Sequence, residues 1–207
     1  NSRDENGSSP LHLACREDFE TICKLLDLSA DPMARNDHGD TPLHCVASAK
    51  MVDIMLHSGA EINARNDDGK TPIKCALDAG RTAVAHSLLL AGASLSIQDK
   101  RGRPALHYAC LRNNKVMVRK ILGRREVNVA TANNKGLRAL RFADGKIVVD
   151  LLVDAGASLI SRDKGGRPPL HFICSKSNLT ICALLNRGAD INAIDGKLQT
   201  PLHRVSR

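Results

Sequence analysis

The chain has 207 residues, of which 43% are apolar, 25% are charged and 2% are aromatic, and its net charge is +8. This composition is ordinary for a soluble protein, and so few aromatic residues predict an aliphatic core. The sequence contains neither an apolar run long enough to span a membrane nor the apolar segment of a secretory signal peptide at its start.

A short motif built on Pro-Leu-His recurs along the chain at a nearly constant step. Measured from one Leu, or the Ile that replaces it, to the next, successive copies lie 30 to 34 residues apart. A period of this length predicts a stack of similar units, because each unit buries its apolar face only against its neighbours. The copies are Ser9–His12, Thr41–His44, Thr71–Lys74, Pro104–His107, Arg138–Arg141, Pro168–His171 and Thr200–His203.

Each copy predicts the start of a short helix, followed by a second helix. The hydroxyl of Thr or Ser caps free N–H groups, and Pro fits the first helical turn. In the fourth copy an apolar face follows at Leu106, Ala109 and Cys110, spaced as on one side of a helix. A second apolar stripe is predicted at Val116, Val118, Ile121 and Leu122.

Glycines mark the ends of these units. Gly tolerates the left-handed conformation that ends many helices and that several tight turns require. Gly92, Gly156 and Gly188 are therefore predicted to end second helices, and Gly69 and Gly102 to form turns between units.

These features resemble the ankyrin repeat, which has about 33 residues, a Thr-Pro-Leu-His motif, a β-turn and two helices. The resemblance implies an all-α ankyrin-repeat solenoid of helix-turn-helix units with β-turn or hairpin fingers. We expect one array over residues 1–207, a segment of a longer protein, with six full repeats and part of a seventh. The expected repeats are approximately 4–35, 36–65, 66–98, 99–132, 133–162, 163–194 and 195–207.

Two repeats depart from this pattern. Repeats two and five are short, and the loss lies between their helices, around 48–50 and 144–146. In repeat five Arg138 and Arg141 stand where Thr and His are expected. We expect local looseness around residues 123–146.

The charge is unevenly distributed along the chain. Residues 1–100 hold 10 Lys and Arg against 15 Asp and Glu, whereas residues 101–207 hold 20 against 7. In the ankyrin family the finger tips and the exposed face of the first helix form the usual binding surface. The resemblance therefore implies a partner-binding surface at Lys100, Arg101, Arg103, Arg112, Lys135, Lys164, Arg167 and Lys176.

This surface favours a non-catalytic scaffold that binds a protein partner with an acidic or phosphorylated segment through the expected concave face and the basic finger tips. The alternative is a regulatory array of a larger enzyme or channel, as in calcium-independent phospholipases. The basic residues are also compatible with a solvated edge of the solenoid, whose charges only maintain solubility. Nucleic acid is disfavoured, because single-strand binding usually adds aromatic platforms and aromatics are scarce. An anionic membrane surface is disfavoured too.

No catalytic motif, cofactor or small-molecule substrate is expected, so we predict that the chain is not an enzyme. Three His-x-x-Cys pairs resemble metal ligands, but each lies in a different repeat, and the family uses this His to support the turn. The seven Cys residues recur at equivalent positions, which favours small apolar core residues and a reducing cytoplasm, with the nucleus as the alternative. Asn192 resembles the inter-repeat Asn that is hydroxylated in ankyrin proteins. The three pairs are His12/Cys15, His107/Cys110 and His171/Cys174.

Overall fold

The computed structural model describes residues 3–173 and 177–204. Within these ranges the regular structure is helical, with an isolated β-bridge between Ala132 and Arg138. The chain divides into two compact units, Asn1–Lys100 and Arg101–Arg207. The prediction of an all-α ankyrin-repeat fold is confirmed, and the single array over 1–207 stays a prediction.

Unit one contains three helix pairs. The first helices pack on one another in sequence, as do the second helices. Leu11, Leu43 and Ile73, the apolar residues of the repeated motif, are each at most 1% exposed. The core is aliphatic, as the composition predicts. The helices are α1 (Pro10–Glu17), α2 (Phe19–Asp27), α3 (Pro42–Cys45), α4 (Ala49–His57), α5 (Pro72–Asp78) and α6 (Thr82–Leu90).

Unit two repeats this arrangement of first and second helices. Its described helices are α7 (Ala105–Leu111), α8 (Lys115–Leu122), a 3-10 helix (Ala139–Phe142), α9 (Lys146–Asp154), α10 (Leu170–Ile173), α11 (Asn178–Asn186) and a second 3-10 helix (Pro201–Arg204). Helix α7 packs on the first 3-10 helix, α8 on α9, and α9 on α11.

The shortening of repeats two and five removes most of their first helices. Helix α3 and the first 3-10 helix have four residues each, whereas α1 has eight. In repeat five the second helix is then held by its neighbour, because the hydroxyl of Thr180 accepts the Gly145 N–H at 2.7 Å and donates to Asp144 at 2.9 Å. The looseness expected around residues 123–146 stays a prediction.

The motif His supports the finger that follows it. In repeat two, the backbone N–H of Thr41 donates to Nδ1 of His44 at 3.1 Å. Because Nδ1 accepts, Nε2 carries the proton and donates to the main-chain oxygen of Lys70 at 3.1 Å. His12 is bonded in the same way to Ser9 and to the oxygen of Asp40. The structural interpretation of these histidines is confirmed.

The apolar stripes are confirmed in one helix and corrected in the next. Leu106, Ala109 and Cys110 are buried on α7. On α8, however, Val116 is 55% exposed, and Met117 is buried in its place beside Val118 and Ile121. The side chain of Asn114 caps the N–H of Met117, which starts the helix one residue before Val116 and turns Val116 outward.

Candidate functional site

Six of the fingers are each shaped by one Asn or Asp side chain. In the fifth repeat, Oδ1 of Asn133 accepts the N–H groups of Lys135 and Leu137, both at 2.9 Å. Such a side chain mimics a backbone turn and holds the tip in one conformation. This role was not predicted, although an Asn or Asp recurs three residues before the tip Gly of the first six fingers and before Leu198 of the last. The same two bonds are formed by Asp4, Asn36, Asn66, Asp163 and Asp195.

Neighbouring fingers within a unit are joined by a backbone hydrogen bond at the tip. In unit two, the N–H of Asn134 donates to the oxygen of Arg101 at 3.0 Å, and the N–H of Lys164 donates to the oxygen of Lys135 at 3.3 Å. The exposed side chains of Arg101, Lys135 and Lys164 therefore stand on consecutive, directly bonded tips. The expected stacking of basic tips is present for these three residues.

Glycine permits this close approach. Gly102 has a φ of +76°, and a Cβ at this position would lie 2.8 Å from the backbone N of Asn134. An L-residue would be strained by the positive φ and would also push the next finger away. The turn glycines predicted at Gly69 and Gly102, and the helix ends at Gly92, Gly156 and Gly188, are confirmed by their positive φ values.

Two of the predicted arginines are held by contacts within the chain. Nη2 of Arg103 donates to the hydroxyl of Tyr108 at 2.7 Å, and its guanidinium carbon lies 4.6 Å from the centre of the Tyr108 ring. Arg167 donates from Nε and Nη2 to Oδ2 of Asp163 at 3.0 and 2.7 Å. Although burial alone would raise the pKa of Asp163, the hydrogen bonds from Arg167 hold it below its ordinary value. Both guanidinium groups are thus fixed in orientation.

Four predicted residues remain, and each lies in a different part of the chain. Lys100 is exposed at the end of unit one, and its N–H donates to the oxygen of Asp68 at 2.9 Å. Arg112 is exposed at the end of α7. Lys176 lies outside the described residues. Asn192 is exposed in a turn, where its N–H donates to the Asp190 carboxylate at 2.8 Å. The partner-binding and hydroxylation assignments stay predictions.

The structure adds one residue, Arg141, that the sequence marked only as irregular. Arg141 is partly buried, and its guanidinium carbon lies 4.0 Å from the centre of the Phe172 ring. Arg167 lies 4.4 Å from the centre of the same ring. The signal in the sequence was the replacement of the motif His by Arg.

The cysteines are only partly core residues. Cys15 and Cys110 are fully buried, Cys23, Cys45 and Cys75 are partly buried, and Cys182 is exposed. Burial raises the pKa of the Cys15 thiol to about 12, so this thiol is protonated at neutral pH. The prediction that Cys182 packs in the core is wrong, because its side chain lies on the outer face of α11. Cys174 lies outside the described residues.

Three potential metal ligands meet in unit one. The carboxylate of Asp40, the imidazole of His44 and the thiol of Cys75 lie within 4.8 Å of one another. Their chemistry does not suit a metal, because both nitrogens of His44 are already hydrogen-bonded. Asp40 accepts a bond of 2.7 Å from the side chain of Asn66. Burial raises the pKa of the Cys75 thiol to about 12, which disfavours the thiolate that zinc requires.

Among the residues that the structure describes, no helix has both the length and the apolar character needed to cross a bilayer.

Comparison with known proteins identifies the class to which the chain belongs. The family model for ankyrin repeats in three copies matches residues 11–99 and 83–163, and the single ankyrin-repeat model matches 165–193. These matches cover most of the chain. The chain therefore belongs to the ankyrin-repeat family.

Its relatives include proteins named for NF-kappa-B. The chain is 27% identical to the nuclear factor NF-kappa-B p105 subunit of Gallus gallus over 216 residues, which covers 97% of the chain and 19% of that protein. It is 33% identical to the NF-kappa-B inhibitor cactus of Drosophila melanogaster over 186 residues, covering 82% of the chain and 35% of that protein. The chain thus spans about a third or less of the length of these relatives.

A solved structure shares the fold. The ankyrin-repeat domain of Bcl-3, described as a unique member of the IkappaB protein family, superposes with a TM-score of 0.77. The sequences are 24% identical, and the match covers 97% of each chain. At this level of sequence identity, the match shows that the two chains share a fold.

Proposed function

We propose that the chain is a non-catalytic module that binds a protein partner through the basic finger tips of unit two. The partner segment is acidic or phosphorylated. The observation that carries the proposal is the row of bonded tips that presents Arg101, Lys135 and Lys164 to solvent. Three cations at fixed spacing attract an anionic segment over several ångströms and restrict which segments fit.

The relatives support a protein partner and suggest which one to test first. Cactus is by name an inhibitor of NF-kappa-B. An NF-kappa-B subunit is therefore the first partner to test. The proposed compartment is the cytoplasm, with the nucleus as the alternative, because thiols such as Cys15 serve as packing residues rather than as disulfide partners.

The test reverses the charge of the exposed tips in the triple variant R101E/K135E/K164E. We chose Lys135 and Lys164 over Arg103 and Arg167, because the latter two hold internal contacts whose loss would affect folding. The association rate with an immobilised NF-kappa-B subunit is measured at low and at high salt. We expect a decrease of about tenfold at low salt and a smaller one at high salt, because screening weakens steering.

The matched control is K115E/R119E/K120E, which makes the same charge change on the exposed residues of α8. A tip-specific effect leaves this control within about twofold of the wild-type rate. Equal losses in both variants would mean that net charge alone governs capture. An unchanged rate in the tip variant would remove the basic tips from the binding surface.

A second function is favoured by the short span of the chain relative to its relatives. Because the chain corresponds to 19% of p105, we also propose a regulatory array that acts on other domains of a longer protein, an enzyme or channel included. Expression of the full coding sequence with and without these 207 residues distinguishes the two functions. A change in the activity of the remaining part supports the regulatory array.

A further inference from the structure

Repeat five departs from the motif at both of its polar positions. Arg138 occupies the position of Thr41 in repeat two, and Arg141 occupies the position of His44. In repeat two the hydroxyl and the imidazole lie 3.0 Å apart and satisfy one another. Two guanidinium groups cannot do so, because each is a cation without an acceptor.

The two arginines line an open pocket together with a third. Arg138, Arg141 and Arg167 line this solvent-open pocket, together with Asp163 and Phe172. The ring of Phe172 lies 4.0 Å from the guanidinium carbon of Arg141 and 4.4 Å from that of Arg167. Cation–π contacts of this kind hold both groups at the wall of the pocket.

The charges in this pocket are not balanced. Asp163 is the carboxylate among its lining residues, and Arg167 occupies its Oδ2. The other oxygen of Asp163 accepts the backbone N–H groups of Gly165 and Arg167. The guanidinium of Arg141 forms neither a hydrogen bond nor an ion pair with any residue that the structure describes, and its Nε is buried. Three cations therefore face one anion.

This arrangement costs stability unless something binds there. The buried Nε–H of Arg141 lacks an acceptor among the described residues, which is destabilising. Burial lowers the pKa of Arg141, and the neighbouring charge of Arg167 lowers it further. Departures from a local rule that lack internal compensation are typical of functional sites. The guanidinium of Arg138 already donates to the main-chain oxygens of Ala130 and Arg162, and that of Arg167 to Asp163. An anion among the three arginines would supply the acceptor that Arg141 lacks.

We propose that Arg138, Arg141 and Arg167 form a recognition pocket for a phosphoryl group on the bound partner. The proposal deepens the proposed function, on which it rests, by assigning a phosphorylated side chain to a particular pocket. A phosphorylated side chain carries a charge of about −2 and three acceptor oxygens, which matches three guanidinium groups opposed by one carboxylate. A carboxylate offers about half that charge and two oxygens.

The test uses the whole chain, labelled with ¹⁵N, and follows the Nε–H resonances of its arginines during titration with inorganic phosphate. Acetate at matched ionic strength is the carboxylate probe. We expect a saturable shift of the Arg141 and Arg167 resonances with phosphate, and binding about tenfold weaker with acetate.

Two variants separate binding from folding. R138T/R141H restores the residues that repeat two carries at these positions, so it is expected to fold at least as well as the wild type. It should lose the saturable phosphate response. R141Q is the second variant and removes one charge without a new packing requirement. R101Q, at an exposed tip outside the pocket, is the control and should bind phosphate within about twofold of wild type.

Each outcome decides the proposal. Saturation by phosphate that disappears in R138T/R141H and R141Q but persists in R101Q supports it. Absence of saturation overturns it, and equal or tighter binding of acetate overturns the assignment to a phosphoryl group. Partner association in R101E/K135E/K164E is measured separately. If the tip variant loses partner association and the wild type shows no saturable phosphate response, the proposed function stands and the phosphoryl pocket is rejected.

Discussion

The guanidinium of Arg81 donates from Nη1 to the main-chain oxygen of Cys45, at 2.8 Å and across 36 residues of sequence. Nη1 also contacts the oxygen of Val46, and Nη2 donates to the oxygen of His44 at 3.2 Å. Helix α3 has four residues, so its last carbonyl groups lack helical partners. One side chain from repeat three thus completes the shortened helix of repeat two.

We therefore expect R81M to destabilise the chain by about 2 kcal/mol, because it keeps most of the aliphatic stem and leaves three carbonyl groups without their charged donor. Equilibrium unfolding in urea measures the change. The matched control is R35M, which removes one exposed bond of 2.8 Å to the oxygen of Arg65. That control should lose about 0.5 kcal/mol or less. Equal losses in the two variants would show that Arg81 has no special capping role.

A tip glycine and a helix-end glycine can be compared within one repeat. Gly39 has a φ of +68°, and an added Cβ would lie 2.9 Å from the backbone N of Asp67 on the next finger. Gly59 has a φ of +92°, with nothing within 4 Å of such a Cβ. G59A should cost about 1 kcal/mol from the backbone strain alone.

G39A should cost about 1–2 kcal/mol more, because the neighbouring finger must move as well. Thermal and urea unfolding of the two variants give the difference. If both variants lose the same free energy, the contact between fingers adds nothing to the strain.

The repeat positions were predictable because the chemistry behind them is local. A Thr-Pro step starts a helix and a Gly ends one wherever they occur, so α5 and the turn at Gly69 followed from the sequence. The contact between Arg81 and Cys45 was not predictable, since it joins residues whose separation carries no pattern. Val116 was predicted in the buried position that Met117 occupies, because both residues are apolar. The cap at Asn114 sets the rotation of the helix and so decides which of the two is buried.

The candidate site was predictable in outline for a similar reason. Arg101 and Lys135 belong to turns, and turns of neighbouring repeats meet. The internal partners of Arg103 and Arg167 depend on side-chain rotamers, which composition and spacing do not determine. The pocket at Arg141 needed coordinates, because the sequence showed only that a motif residue was missing.

The motif histidines make stability depend on pH. Burial holds the pKa of His12 and of His44 below the ordinary value of 6.5. Nδ1 of each ring accepts a backbone N–H, so a proton at that nitrogen would break the bond. The unfolded chain therefore binds these protons more readily. The contribution to stability is complete above about pH 6.5 and decreases as the pH falls below that value.

We expect the free energy of unfolding to drop by up to about 1 kcal/mol per histidine between pH 7.5 and pH 5.5. Urea unfolding at both pH values measures the drop in the wild type and in H12Q/H44Q. The variant should show a smaller dependence, whatever its absolute stability. The carboxyl groups with shifted pKa values, such as Asp18 and Asp163, are shifted downward and remain ionised in this range. If the free energy of unfolding of the variant falls as much between pH 7.5 and pH 5.5 as that of the wild type, groups other than these histidines cause the pH dependence.

The cluster of Asp40, His44 and Cys75 gives the last prediction. If its atoms form a hydrogen-bonded core rather than a metal centre, a chelator such as EDTA should leave the thermal midpoint unchanged within about 1 °C, because no binding energy is withdrawn from the folded state. The variant C75S tests the same point from the protein side. A metal centre would make the wild type sensitive to the chelator and C75S insensitive. A lowered midpoint that zinc restores would contradict our interpretation, since Nε2 of His44 would then have to leave the oxygen of Lys70 and bind the ion.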